Sequence, residues 1–303
     1  MLLSVSVDLD ETHHYRGIHG LEPLGSGVEV YQRALPRLVD WARQRAIPIT
    51  WFVVGKDLSS QGNAEAMARL AKDGDELACH SFSHPYDLTR RSMAEIRQEV
   101  EKGIAAVEHV SGTRVSGFRA PGYIVTDALL DVLRESGIRY DSSVFPCPSY
   151  YAMKVAALTA LQLKGQTSHA IIDAPEVLRA PTAPYRVGRP YWFRGTGVWE
   201  VPVQVTRRAR LPFIGTALTM GGTVGARLLA RGVLGEPFVN LELHGIDFLD
   251  ERDGLSELAV RQRDLKTPWV KKLDAIDAAV SVLTQNRYHC VRMNELVVEA
   301  AAR

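Results

Sequence analysis

The 303-residue chain has few cysteines, no excess of one charge and no long apolar run. Its cysteines, Cys79, Cys147 and Cys290, are far apart and form no Cys-x-x-Cys pair. This argues against a disulfide framework and a thiolate zinc site, and favours a reducing compartment. The formal net charge of +1 predicts no general attraction to nucleic acid, so no nucleic-acid partner is expected.

Two further features bear on membranes and export. The start of the chain, MLLSVSVDLDE, has no basic stretch before its short apolar run, so it lacks the parts of a secretory signal, and we expect a cytoplasmic protein. The longest uncharged stretch, Leu211 to Ala226, has 16 residues, whereas a transmembrane helix needs roughly 20. The arginines that flank it are Arg207, Arg208, Arg210, Arg227 and Arg231. They leave open peripheral contact with an anionic surface; the alternative is a buried loop and helix with solvated arginines.

Apolar runs and amphipathic patterns alternate through the first half of the chain. Strands are predicted at Leu2 to Val7, Ile47 to Val54, Glu76 to Cys79 and Val115 to Phe118. Helices are predicted at Val30 to Arg45, Asn63 to Lys72, Ser92 to Val110 and Thr126 to Ser136. This alternation is typical of parallel strands joined by helical crossovers, so it predicts an α/β domain, with a barrel as one form of it.

The pattern weakens from about residue 145 to residue 211, where Pro, Tyr, Trp and Arg are frequent. A segment of this kind usually covers a functional site. Strands and helices then resume at Pro237 to Leu243, Leu265 to Leu283, Tyr288 to Val291 and from Asn294. We therefore predict a single domain over residues 1–303, with an insertion at about 146–236 that roofs the site.

The strongest chemical signal is the pair His80 and His84, four residues apart after a predicted strand. Both imidazoles face the same way if this segment turns helically, which would supply half of a metal site; the alternative is a polar loop with two histidines. Asp8 and Asp10 end the first strand, at the sheet edge where parallel α/β proteins build their sites. One carboxylate there can complete the ligand set while the other acts as a base, unless this is only a solvated acidic loop.

Two later strands also end in polar groups. His244 follows an apolar strand and is well placed to donate a proton to a leaving amine, although a histidine there is often structural. Arg119 follows the strand that ends at Phe118. Near a carboxylate it would lower the pKa of that group; otherwise it is an ordinary ion-pair partner.

Together these motifs resemble the polysaccharide deacetylase family with the NodB-type fold, a group of metal-dependent amide hydrolases related to carbohydrate esterase family 4. The His-x-x-x-His motif is His80 to His84, the Arg-x-Pro motif begins at Arg119, and the Leu-x-x-His motif ends at His244. The resemblance implies an irregular (β/α) barrel in which His80, His84 and one aspartate bind a divalent metal. The family typically has two adjacent aspartates, whereas Leu9 separates them here. We expect Asp8 to be the base and Asp10 the ligand, with Glu11 as the substitute.

The split Asp-x-Asp pattern is similar to the branch that includes a deformylase of lipid-linked formamido-arabinose, and the segment from Tyr140 to Pro146 is similar to exopolysaccharide-locus deacetylases. This resemblance implies that Asp141 orients or charges His244. The residues predicted to contact substrate are Pro121, Tyr123 through its backbone N–H, Trp192, Phe193 and Trp199. For Trp192, Phe193 and Trp199, the alternative is packing beneath the insertion.

The predicted activity is metal-dependent removal of an acetyl or formyl group from the nitrogen of an amino sugar. The substrate would be lipid-linked, nucleotide-linked or a small saccharide. Zinc suits the ligand set best, although iron, cobalt, nickel and manganese accept similar ligands. Two alternatives stay open: hydrolysis of a cyclic, non-carbohydrate amide on the same scaffold, and a noncatalytic glycan-binding protein. The oligomeric state is not predicted.

Overall fold

The computed structural model describes residues 1–21, 29–163 and 171–303. Within these residues nine strands form one sheet: Leu2–Asp8 (β1), Ile49–Val53 (β2), Glu76–Cys79 (β3), Gly117–Phe118 (β4), Tyr140–Asp141 (β5), Tyr185–Val187 (β6), Arg194–Glu200 (β7), Phe238–His244 (β8) and His289–Cys290 (β9). The α-helices of the same residues are Thr12–Ile18 (α1), Leu35–Gln44 (α2), Gln61–Lys72 (α3), Met93–Ser111 (α4), Asp127–Glu135 (α5), Pro148–Leu163 (α6), Gly215–Val233 (α7), Ser256–Ala259 (α8), Trp269–Gln285 (α9) and Met293–Ala301 (α10).

The sheet is parallel apart from the β6–β7 pair. Its strand order is β6-β7-β5-β4-β3-β2-β1-β8, and β9 also pairs with β1. Asp8 at the end of β1 stands opposite Phe52 of β2 and His244 of β8. The carboxyl ends of these strands therefore meet at one edge, where parallel sheets place their sites.

The sheet curls into a half-barrel, the (β/α) barrel architecture implied by the resemblance. The curl brings the segment after β5 close to β8: the Asn240 side chain donates a hydrogen bond to the Ser142 hydroxyl at 3.0 Å. Ile214 pairs with Glu242 along the free side of β8. The curl thus brings polar groups from distant strands around the barrel interior.

Local sequence signals account for the first half of the fold. Strand β1 is buried from Leu3 to Asp8 because it lies between β2 and β8. Ser92 and Glu95 form the reciprocal capping box at the start of α4, and Gly112 ends this helix at a φ of 67°. Only glycine adopts this left-handed conformation at little steric cost.

The weakly patterned segment differs from the prediction. It contains helix α6 and the antiparallel pair β6 and β7. The apolar residues of α6 are not confined to one face, so the helical period is faint in the sequence. The three cysteines are free thiols, as expected.

Candidate metal-dependent active site

The carboxyl ends of β1, β3 and β8 place the predicted chemical residues around one cavity. The cavity has a volume of about 420 Å³, and its polar end is lined by Asp8, Asp10, His80 and His244. His84 lies directly behind this end, with its ring centre 4.8 Å from that of His80. The acids at the start of the chain and the histidine pair near position 80 therefore converge in space.

Three of these side chains surround one point. The His80 Nε2 atom lies 3.1 Å from Asp10 Oδ1, and the His84 Nε2 atom lies 3.4 Å from Asp10 Oδ2. The two Nε2 atoms are 3.2 Å apart. All three residues are buried. One carboxylate and two imidazoles form the donor set of many hydrolytic zinc sites, which keep a further position open.

The hydrogen bonding of this group fits a cation. The His80 Nδ1–H donates to the Arg119 carbonyl oxygen at 2.7 Å, which leaves the lone pair of Nε2 facing Asp10. Asp10 Oδ1 is buried and accepts no hydrogen bond from the described residues. A buried carboxylate oxygen beside a nitrogen lone pair is costly unless a positive charge lies between them. Asp10, His80 and His84 therefore suit a divalent cation.

The loop between the two histidines does not turn helically, so the two imidazoles come together by another route. Ser81 and His84 both have left-handed backbones, with φ values of 63° and 56°. The Ser81 hydroxyl accepts a hydrogen bond from the His84 backbone N–H at 3.0 Å. Such conformations are costly for residues other than glycine and are frequent at functional sites. They bring His84 back towards His80 without a helix.

Asp8 lies beside this group and is held by Arg119. The guanidinium donates to Asp8 Oδ1 at 2.5 Å and to the Ser6 hydroxyl at 2.9 Å, and it lies over the Phe52 ring. The other Asp8 oxygen is 3.8 Å from His80 Nε2. Burial raises the pKa of Asp8, and it outweighs the lowering by Arg119. Asp8 is thus a stronger base than an exposed aspartate.

His244 has a carboxylate partner that the sequence reasoning did not identify. Its Nδ1 atom lies 2.8 Å from Glu242 Oε1, and its Nε2 atom lies 3.9 Å from Asp8 Oδ2. Burial lowers the pKa of His244, but the carboxylates of Glu242, Asp8 and Asp10, with Glu242 first among them, together raise it well above the usual 6.5. Alternation along β8 places Glu242 and His244 on one side of the strand, a signal that could have revealed the pair.

Asp8, Glu242 and His244 also have donor atoms within 4.8 Å of one another. The positive charges of Arg119 and the imidazolium form of His244 already compensate these carboxylates. Electrostatics therefore favours Asp10, His80 and His84 for a cation.

The predicted partnership of Asp141 with His244 is wrong. Asp141 accepts hydrogen bonds from the Ser143 hydroxyl at 2.8 Å and from the Ser143 backbone N–H at 3.2 Å. Its titratable neighbour is Glu200, whose pKa is raised well above 4.5 by burial and by Asp141. Asp141 therefore belongs to a buried carboxyl pair between β5 and β7, and Glu242 takes the place predicted for it.

Three other predicted contributions are also corrected. Glu11 cannot substitute as a ligand, because its carboxylate accepts the backbone N–H groups of Thr12, Val30 and Tyr31. The backbone N–H of Tyr123 donates within its own turn to the Ala120 carbonyl, so it is not free for an oxyanion. The Tyr123 side chain does line the cavity, and its hydroxyl is 3.3 Å from His244 Nε2. Pro121 is buried and does not line the cavity in the described part of the chain.

The predicted stacking residues lie elsewhere. Trp192 packs against the core beside Tyr191, with ring centres 5.0 Å apart. Trp199 lies on β7 with the Arg186 guanidinium over its ring. Phe193 is half exposed next to Trp192. None of the three aromatic side chains lines the cavity formed by the described residues. The alternative of packing fits Trp192, which packs against the core, whereas Phe193 is half exposed.

A second group of donors borders His84 and was not singled out in the sequence. His13 and His14 of α1 and Asp57, after β2, have donor atoms within 4.8 Å of one another. The His14 ring centre is 4.7 Å from that of His84. His14 Nε2 is 3.8 Å from Asp57 Oδ2, and neither atom has a hydrogen-bond partner among the described residues. The two adjacent histidines soon after Asp10 are the sequence feature that could have indicated this group.

This geometry defines a class before any relative is considered: an α/β barrel with a histidine–carboxylate site suited to a hydrolytic metal. A family model described as "Polysaccharide deacetylase" matches residues 27–140. These matched residues contain the histidine pair and Arg119, and the match supports a polysaccharide deacetylase domain in this chain.

Known proteins agree with this domain. A "Peptidoglycan deacetylase" of Helicobacter pylori is 23% identical over 150 residues, which are 48% of this chain and 50% of that protein. The chain thus spans half or less of the curated relatives it matches first. A crystal structure of a putative polysaccharide deacetylase from Mycobacterium smegmatis has a TM-score of 0.53 at 17% identity, covering 96% of this chain and 92% of that one. The structure of Puue allantoinase gives 0.59 at 14% identity, covering 97% and 88%. These structural likenesses show the NodB-type fold.

Proposed function

We propose that the protein is a metal-dependent hydrolase that removes an N-acyl group, acetyl or formyl, from an amino sugar. The observation that carries the proposal is the convergence of Asp10, His80 and His84 on one point, with Asp8 and His244 beside it in a single cavity. The likeness to a deacetylase of peptidoglycan supports an acylated amino sugar as substrate.

Asp10, His80 and His84 would hold the divalent cation, for which zinc is the best-suited ion. When bound, the cation supplies Lewis-acid polarisation of the acyl oxygen and of water. Asp8 accepts the proton of the attacking water, because burial makes it more basic than an exposed aspartate. Arg119 holds the Asp8 carboxylate in position through its hydrogen bond.

His244 donates the proton that the departing nitrogen needs. The Glu242 carboxylate at Nδ1 keeps the imidazole protonated and directs Nε2 towards Asp8 and the cavity. An amine leaves poorly as an anion, so this proton is needed for C–N cleavage. Glu242 thus positions His244 and raises its pKa, the task that the resemblance had assigned to Asp141.

We further propose that residues 146–236 form an insertion of the single domain 1–303 and roof the site. Tyr150 and Met153 of α6 and Ala217 and Met220 of α7 line the apolar part of the cavity, which supports this arrangement. Lipid-linked, nucleotide-linked and small saccharides in the cytoplasm are the proposed substrates.

The test is release of acetate or formate from a panel of N-acetyl and N-formyl amino sugars by the zinc-loaded protein. Cyclic ureides belong in the same panel, because the fold is shared with an allantoinase. We expect turnover of at least one acylated sugar, loss of turnover after chelation and recovery on adding zinc. Turnover of ureides alone would favour the cyclic-amide hydrolase. A metal-loaded protein that binds glycans but cleaves no amide or ester would overturn the proposal.

A further inference from the structure

Helix α7 has an apolar face that the rest of the described chain leaves uncovered. Met220, Val224 and Leu228 are 76%, 69% and 60% exposed. The backbone breaks at Gly222, so Val224 and Leu228 share one face of the second half of the helix, one turn apart, while Met220 ends the first half. Large apolar side chains rarely cluster in water without a partner.

The chain segment that carries this face has positive charges only. Residues 201–235 contain five arginines and no acidic residue. Arg208, Arg227 and Arg231 are exposed, and none has an ion-pair partner within residues 1–21, 29–163 and 171–303. Arg207 pairs with Glu236 at 3.2 Å. We call Met220, Val224, Leu228 and the three unpaired arginines the α7 surface.

The arginines and apolar side chains also share a groove. This open groove of about 730 Å³ is lined by Arg207, Arg208, Arg231, Leu211 and Leu228, and Glu236, the ion-pair partner of Arg207, lines it too. Guanidinium groups next to leucines suit a ligand with anionic groups at one level and hydrocarbon below it. A phospholipid surface has this arrangement.

We propose that the α7 surface docks on an anionic lipid bilayer. Val224 and Leu228 enter the boundary between headgroups and acyl chains, and Arg208, Arg227 and Arg231 contact lipid phosphates. A second copy of this chain fits less well, because a symmetric contact would set the arginines of one copy against those of the other. None of the described helices is long and apolar enough to span a membrane.

The docking face also includes the mouth of the catalytic cavity. Met220 belongs to the α7 surface and lines that cavity, and Met153, also exposed, lines it from α6. Here the inference rests on the proposed function: an amide carried by an amphiphile could pass from the bilayer to the metal site along Met153 and Met220. The membrane contact itself is tested without any substrate.

The experiment is flotation of the full chain with vesicles of phosphatidylcholine alone and of phosphatidylcholine with phosphatidylglycerol. We expect binding to the anionic vesicles only, and weaker binding as salt screens the charges. The double variant Arg227→Ala/Arg231→Ala should bind roughly twenty-five-fold more weakly, since each arginine near an anionic surface contributes about five-fold. Val224→Asp should also weaken binding strongly.

Matched controls carry the same changes away from α7. Val298→Asp alters a half-exposed valine of α10, and Arg69→Ala/Arg139→Ala removes two exposed arginines. Both should bind like the unaltered protein. The inference is overturned if the unaltered protein does not bind anionic vesicles or binds both vesicle types equally. It is also overturned if the control variants lose as much binding as the α7 variants. Amide hydrolysis by a protein that does not bind vesicles would remove this inference alone, whereas vesicle binding without hydrolysis would remove only the proposed function.

Discussion

The pairing of Glu242 with His244 gives the most specific prediction. In Glu242→Gln the side chain keeps its shape but loses the charge that lies 2.8 Å from His244 Nδ1. Burial lowers the pKa of this histidine, and the Glu242 carboxylate is the main group that raises it. The variant should therefore have a much lower His244 pKa.

The sign of the pH effect follows from the role of His244 as an acid. The protonated imidazole is the active form, so activity falls as the pH rises through its pKa. Lowering that pKa moves the alkaline limb of the kcat/KM profile to lower pH. Above the new pKa, kcat/KM should fall about tenfold for each pH unit. The fall ends when the full contribution of general acid catalysis, about 10²- to 10⁴-fold, is lost. At acidic pH the variant should regain much of its activity.

The assay is acyl-group release across pH, with Glu200→Gln as the control. Glu200 is another fully buried glutamate of the sheet, but its neighbour is Asp141. Burial and Asp141 raise the pKa of Glu200, so a neutral glutamine is a mild replacement there, and the alkaline limb should stay in place. A Glu242→Gln enzyme with an unshifted alkaline limb, or an equal shift in Glu200→Gln, would refute this account of His244.

Three further predictions concern Asp8, the fold and the metal. Arg119→Met removes the cation that lowers the Asp8 pKa, so the acidic limb of the kcat/KM profile should move to higher pH. Urea unfolding should show a free energy of unfolding lower by about 3–5 kcal/mol, because the buried carboxylate loses its partner. An unmoved acidic limb would contradict the pairing of Arg119 with Asp8. Gly215→Ala places a methyl group against the Asp247 carboxylate and should lower the free energy of unfolding by about 1–3 kcal/mol; unchanged stability would contradict the packing there. His84→Ala should lose both bound zinc and activity in elemental analysis and turnover assays, whereas stoichiometric zinc in this variant would exclude His84 as a ligand.

Local patterns predicted the first half of the fold well. Glu76–Cys79 is a strand over the predicted residues, and the helix predicted from Ser92 is α4, with Ser92 as its capping residue. Such features depend on neighbours in sequence, so one sequence is enough to find them. Helix α6 was missed because its apolar residues form no clear face.

The candidate site shows the same limit. The proximity of Asp8, Asp10 and the histidine pair could be predicted from the sequence, because each follows a strand and parallel strands end at the same edge of a sheet. The partner of His244 depended on which side chains share one side of one strand after the sheet curls. Asp141 lies on β5, where Glu200 of the neighbouring strand engages it, and no motif contains that information.

The central claim is that Asp10, His80 and His84 hold one divalent cation in the catalytic cavity. Calorimetric titration of zinc into the chelator-treated protein and into Asp10→Ala tests it most directly, with X-ray absorption on the loaded protein to identify the ligands. The account predicts one tight site with two imidazoles in its coordination shell, greatly weakened in Asp10→Ala. Tight zinc binding that is equal in both proteins, or a shell without imidazole, would contradict it.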